Sequence, residues 1–164
     1  MLNIQQFGTK ILLIAGSVLA MAFTSDIGSV KYKCLVQMIN YTGEDAYVAI
    51  SLMNPEGEYE RTLYVQGDDN EWYSDIKNWW AFSQGKNEKL DGITGASIGN
   101  GERQVLAFEI DETKIDSGYK IRFESAVENQ EYHVTDAELS LNAESVNSKI
   151  EGKGYIRYVR IIPN

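Results

Sequence analysis

The stretch Asp91-Gly92-Ile93-Thr94-Gly95-Ala96-Ser97 puts one carboxylate, two hydroxyls and two glycines into seven positions. A serine or threonine hydroxyl attacks nothing without a partnered base. The chain has one histidine, His133, and one cysteine, Cys34. His133 sits in a Tyr132-His133-Val134 run with the pattern of a strand, which places it as a surface or rim residue. Hydroxyls beside small residues, with no base of their own, have the character of a substrate: backbone slim enough to enter another enzyme's cleft and offer an oxygen there. The competing reading is an ordinary turn, with Asp91 capping and Thr94 or Ser97 bonding local amides.

Composition narrows the classes further. The 164 residues fit one domain of ordinary size, and 43% apolar with 24% charged residues is the balance of a folded globular chain. A net charge of -9 argues against a protein whose business is gripping nucleic acid or anionic lipid. A single imidazole removes schemes that pair histidines, and a single cysteine cannot form an internal disulfide. Asp68, Asp69, Glu71 and Asp75 lack the spacing of a calcium-binding loop and read as a solvated turn leading into a helix, with acids at its positive end. Independent catalysis is not expected.

The apolar run Ile11 to Phe23, preceded by Lys10, is short for a bilayer-crossing helix and reads as an export signal. Ala20-Met21-Ala22 places the cut after Ala22, giving a leader over residues 1–22, or an N-terminal anchor if the cut is not made, and a single domain over 23–164. Alternation then dominates. Tyr32, Cys34, Val36 and Met38 alternate with Lys33 and Gln37, and Tyr119, Ile121 and Phe123 with Lys120, Arg122 and Glu124. Similar runs at Ala46–Met53, Tyr59–Gln66, Arg103–Ile110, Tyr132–Val134, Ala137–Leu141 and Tyr155–Ile162 are separated by turns such as Asn54-Pro55-Glu56-Gly57. The class is mostly β, an antiparallel immunoglobulin-like β-sandwich with Cys34 as buried filler.

One segment breaks the pattern. Trp72, Ile76, Trp79 and Trp80 recur at helical spacing behind Asp69 or Asn70 as N-cap, predicting one short aromatic helix. That helix either plugs an open end of the sandwich or brings one indole to a ligand. From Ser83 to Gly101 the residues are small and polar, without apolar periodicity, which predicts a long exposed loop carrying the heptad.

The heptad resembles the D-x-x-[ST]-G-A-[ST] signature recognised by FAD:protein FMN transferases, which esterify its last hydroxyl with the phosphate of FMN. Asp91, Thr94, Gly95 and Ala96 match, and Ser97 occupies the acceptor position where threonine is usual. More broadly, Tyr47 to Ile162 resembles a DUF2271-like family of predicted periplasmic proteins. In that family, strands like Tyr47-Val48-Ala49-Ile50 and Thr62-Leu63-Tyr64-Val65-Gln66 precede a tryptophan-containing segment like Trp79-Trp80 and then the signature.

The resemblance implies FMN held covalently on Ser97, with Asp91 used in recognition. Its partners would be a flavin transferase and a membrane redox protein, PepSY-type among others, and its role electron transfer outside the cytoplasm. A tether removes the entropic cost of retaining a cofactor, so a shallow site suffices. Trp79 and Trp80, nearest in sequence, are the expected platform for the isoalloxazine ring. Lys86 and Lys89, the nearest cations, form no cluster that would hold a dissociable phosphate. Two other readings stand beside this one: a cofactor-free sandwich that binds an envelope component or redox partner, and a carbohydrate-binding sandwich.

Overall fold

The computed structural model describes residues 28–164, so the expected leader and its cut lie outside the described residues. Along the chain come β1 (Ser29–Met38), β2 (Tyr47–Met53), β3 (Tyr59–Gln66), a 3₁₀ segment (Asn70–Asp75), α1 (Lys77–Lys86), β4 (Thr94–Gly95), β5 (Arg103–Asp111), β6 (Lys120–Ala126), β7 (His133–Ser140), β8 (Lys149–Glu151) and β9 (Ile156–Pro163). They form two sheets, ordered β5-β1-β9-β8 and β4-β3-β2-β6-β7.

The alternating side chains do what their period dictates. β1 buries Tyr32, Cys34, Val36 and Met38, and β5 buries Leu106, Phe108 and Ile110. These meet Val48, Ile50, Leu52, Ile121 and Phe123 from the other sheet in one core, so the chain is a β-sandwich. Burial pushes the Cys34 thiol far above its ordinary range, which leaves it an inert apolar filler. His133 is half-buried, its ring edge-on to Tyr155 at 4.9 Å.

The structure corrects three expectations. First, the pairing is not wholly antiparallel, because β4 runs parallel to β3, with Val65 opposite Thr94 and Gln66 opposite Gly95. Second, the one short aromatic helix begins later than expected: the chain turns at Ile76 (φ -91°, ψ 70°), so α1 carries Trp79 and Trp80 while Trp72 lies in the preceding 3₁₀ segment. Asp69 does act as N-cap, its carboxylate accepting from Glu71 N–H at 3.0 Å. Third, the helical segment plugs no open end. It lies on the outer face of the five-stranded sheet, where Ile76, Tyr73 and Trp79 pack on Ala49, Val65 and Ala126 in a second core. The two alanines explain the seat, since their small side chains leave depth for an indole. α1 also runs through Lys86, taking four residues from the expected loop, and closes on Asn87 in the left-handed region (φ 51°).

Two buried carboxylates fasten the periphery. Asp136 accepts from the backbone N–H of Gly154 (2.7 Å) and of Lys153 and Ile156 (both 2.9 Å), and from the Ser125 hydroxyl, pinning the β8–β9 turn. Glu124 accepts from the hydroxyls of Tyr59 (2.7 Å) and Tyr132, and Tyr132 Oη in turn accepts from Asn78 N–H at 3.1 Å. A phenol thus satisfies an N–H in the first turn of α1, which has no side-chain cap of its own. Burial pushes the Glu124 carboxyl up, against the hydrogen bonds from Tyr132 and Tyr59 that favour its charged form.

Candidate functional site

From the end of α1 the chain is stitched back onto the sandwich by a short series of bonds. The Glu88 carboxylate accepts from Thr62 N–H (3.0 Å) and its hydroxyl (2.6 Å). A tight turn at Gly92, whose φ of +80° suits glycine, brings Ile93 N–H to Leu90 O at 3.1 Å. Val65 N–H then donates to Ile93 O at 2.8 Å and Gly67 N–H to Gly95 O at 2.5 Å. Beyond the heptad, Ile98 and Ala46 exchange both backbone bonds at 3.0 Å, and the Tyr41 hydroxyl donates to Ile98 O at 2.8 Å.

Ser97 lies between these anchors, its carbonyl accepting from Gln104 Nε2 at 3.0 Å while Gln104 Oε1 accepts from Gln66 Nε2 at 3.0 Å. The expected long exposed loop is present beyond α1, but it is pinned at both flanks and pairs with β3 over two residues, Thr94–Gly95. Among the described residues no protein group hydrogen-bonds Ser97 Oγ.

The heptad straddles two cavities. Ser97 lines one of about 400 Å³, where Tyr47 and Trp72 supply rings and Glu44, Asp45, Asp75 and Glu128 supply charge. Asp91 and Thr94 line another of about 550 Å³, together with Trp80, Tyr73, Asn70 and Gln84. Ala96 is exposed, and Gly95 is half-buried where it passes the Tyr64 hydroxyl: a Cβ at Gly95 would stand 2.3 Å from that oxygen. A side chain at position 95 would therefore have to displace the Tyr64 hydroxyl.

The tryptophans do not sit where sequence proximity suggests. Trp79 is fully buried, with Nε1 donating to the Thr62 hydroxyl at 2.8 Å and its ring edge-on to Tyr73 at 5.1 Å. It supports the site from beneath and faces neither cavity. Trp80 is half-exposed and borders the Asp91–Thr94 cavity. The ring beside Ser97 is Trp72, which the turn at Ile76 separates from the α1 face. Its helical spacing marked Trp72 in the sequence, but only that turn and the β4 pairing bring it to Ser97.

Electrostatically the Ser97 cavity is one-signed: none of its lining residues is a cation, and Lys86 and Lys89 line neither cavity. Burial, reinforced by Asp69 and Asp68, holds the Tyr47 phenol above its usual range, so it stays neutral. Among the described residues no group of three or more His, Cys, Asp or Glu is arranged to hold a metal, and no helix is long and apolar enough to cross a membrane. Two aromatic rings and four carboxylates thus border the same space as Ser97.

Comparison with known proteins places this geometry in a family. Residues 29–158, all but the two ends of the described chain, match the family model described as "Predicted periplasmic protein (DUF2271)". Neither the curated proteins nor the solved structures give a match. The chain belongs to the DUF2271 family of predicted periplasmic proteins.

Proposed function

We propose that the protein carries FMN on Ser97 and serves as an exported electron carrier or redox accessory to a membrane redox protein. The observation that carries this reading is the position of Ser97: a half-buried side chain, unbonded at Oγ, on the wall of a cavity with two aromatic rings. In the transfer, Ser97 Oγ forms a bond to the FMN phosphorus of FAD, the anhydride bond breaks, AMP leaves with the bridging oxygen, and the hydroxyl proton goes to solvent or to a base of the transferase. The tethered flavin supplies reversible electron transfer. Trp72 and Tyr47 orient its ring and limit water, while Asp91 and Thr94, on the neighbouring cavity, remain open to the transferase.

A phosphodiester carries less charge than the phosphate of free FMN. An acid-lined cavity without cations therefore disfavours the dissociable cofactor more than the tethered one. The same acids favour the second reading, a cofactor-free binding module of the cell envelope, because any phosphate at the mouth faces four like charges.

Export of the chain in a host that also makes an FAD:protein FMN transferase separates the two. Wild type gains the mass of FMN less water and shows in-gel flavin fluorescence, whereas Ser97→Ala gains neither. Unlabelled wild type leaves the binding module, and label persisting in Ser97→Ala moves the acceptor to Thr94 or elsewhere.

A further inference from the structure

We propose that the outer face of the four-stranded sheet docks on an anionic lipid leaflet. This goes beyond the flavin reading and does not depend on it. The outer face of the five-stranded sheet is covered by α1, whereas among the described residues nothing covers the other. The large hydrophobic side chains most exposed among the described residues, Val105 (64%) and Ile162 (39%), both stand on that open face. Val105 lies directly opposite Leu35, and Leu35 is also opposite Arg160.

Three consecutive outward positions on each of β5, β1 and β9 form a grid with Lys33, Arg103 and Arg160 as its cations and no acid. At its rim Lys149 sits over the Tyr158 ring at 4.5 Å, Lys31 is held by Glu109 at 3.1 Å, and Glu151 stands opposite Tyr158, so the rim adds two cations and two acids to the three cations within. In a chain of net charge -9 such a face is an exception that the fold assembles from three strands distant in sequence.

The chemistry of the face selects its partner. Tight protein interfaces centre on Trp, Tyr and Arg seated in pockets. Here short aliphatic tips, Leu35, Val105 and Ile162, which need no complementary shape to enter the headgroup boundary, alternate with the long side chains of Lys33, Arg103 and Arg160, whose heads reach phosphate while their stems stay apolar. The family is described as periplasmic, a space bounded by membranes. The acids elsewhere on the molecule do not cancel the attraction, because at ~0.1 M salt charge is screened over about 10 Å, less than the thickness of a two-sheet sandwich plus a helix. They orient it instead, turning the basic face toward the leaflet.

Co-sedimentation of the exported protein with phosphatidylglycerol-containing vesicles and with pure phosphatidylcholine vesicles tests this. Comparing wild type with a Lys33→Glu, Arg103→Glu, Arg160→Glu variant cancels any part played by the leader, which both share. Near-surface cations contribute roughly fivefold each, so loss of three lowers the variant's partitioning onto the anionic vesicles by about a hundredfold, the added glutamates lower it further, and high salt weakens wild type likewise. Val105→Ser with Ile162→Ser also lowers it, and all variants keep the far-ultraviolet circular dichroism of wild type. Equal binding to both vesicle types, or undiminished binding by the charge variant, overturns the proposal. Absence of vesicle binding by wild type overturns it too and assigns the face to a protein partner.

Discussion

Replacement of Trp79 by alanine distinguishes a ring that holds the fold together from one that faces a ligand. The side chain is fully buried, in edge contact with Tyr73 and tilted against Trp80 at 5.8 Å. An indole buries on the order of 200 Å², which at ~25 cal/mol/Å² is about 5 kcal/mol of transfer free energy. Partial collapse of the cavity brings the expected loss to about 3–5 kcal/mol. The Thr62 hydroxyl loses a donor but keeps its own bond to Glu88, so little is added.

A domain of this kind is stable by ~5–15 kcal/mol, and with a urea slope of roughly 2 kcal/mol/M the midpoint falls by about 2 M. Trp72→Ala, at a half-buried position on the Ser97 cavity, costs under about 1 kcal/mol in the same assay. Urea titration followed by circular dichroism measures both. A loss below about 1 kcal/mol for Trp79→Ala refutes the reasoning and returns Trp79 to the list of ligand-facing rings.

Gly95→Ala crowds the Tyr64 hydroxyl and costs about 1–3 kcal/mol; Tyr64→Phe in the same chain restores most of that, and failure of this rescue in thermal melts removes the steric argument. Asp136→Ala strands three backbone N–H groups and the Ser125 hydroxyl, with an expected loss of about 3–4 kcal/mol in urea melts; a loss under about 1 kcal/mol would show the β8–β9 turn held by other means. Because burial raises the Glu124 carboxyl in the folded state, the native chain holds its proton at pH values where the unfolded chain has lost it. Stability therefore falls as pH rises from the ordinary carboxylate range to the raised one. Urea midpoints plotted against pH lose this contribution in Glu124→Gln, and identical pH profiles for the two proteins contradict the assignment.

The sandwich was legible because its strands carry a period of two that survives burial on one face. β2, β3, β5 and β9 lie within a residue or two of their expected ranges, and Cys34 points inward as its neighbours require. β4 and β8 were not legible: at two and three residues they are too short to show any period, and β4 exists only because β3 offers it an unpaired edge. The tryptophans misled for a related reason. Helical spacing over Trp72 to Trp80 was real, but a turn at one residue, Ile76, sends Trp72 toward Ser97 and Trp79 into the sheet. The acid-lined cavity draws on four separate regions, near residues 45, 73, 97 and 127, which only pairing between strands brings together.

Peptide-level mass spectrometry of the protein exported by its own host tests the central claim most directly. The peptide containing Asp91 to Ser97 is predicted to carry FMN, with fragment ions placing the added mass on Ser97. The same peptide recovered unmodified, from a host that makes a flavin transferase, would contradict the account and leave a β-sandwich whose cavity serves some other guest.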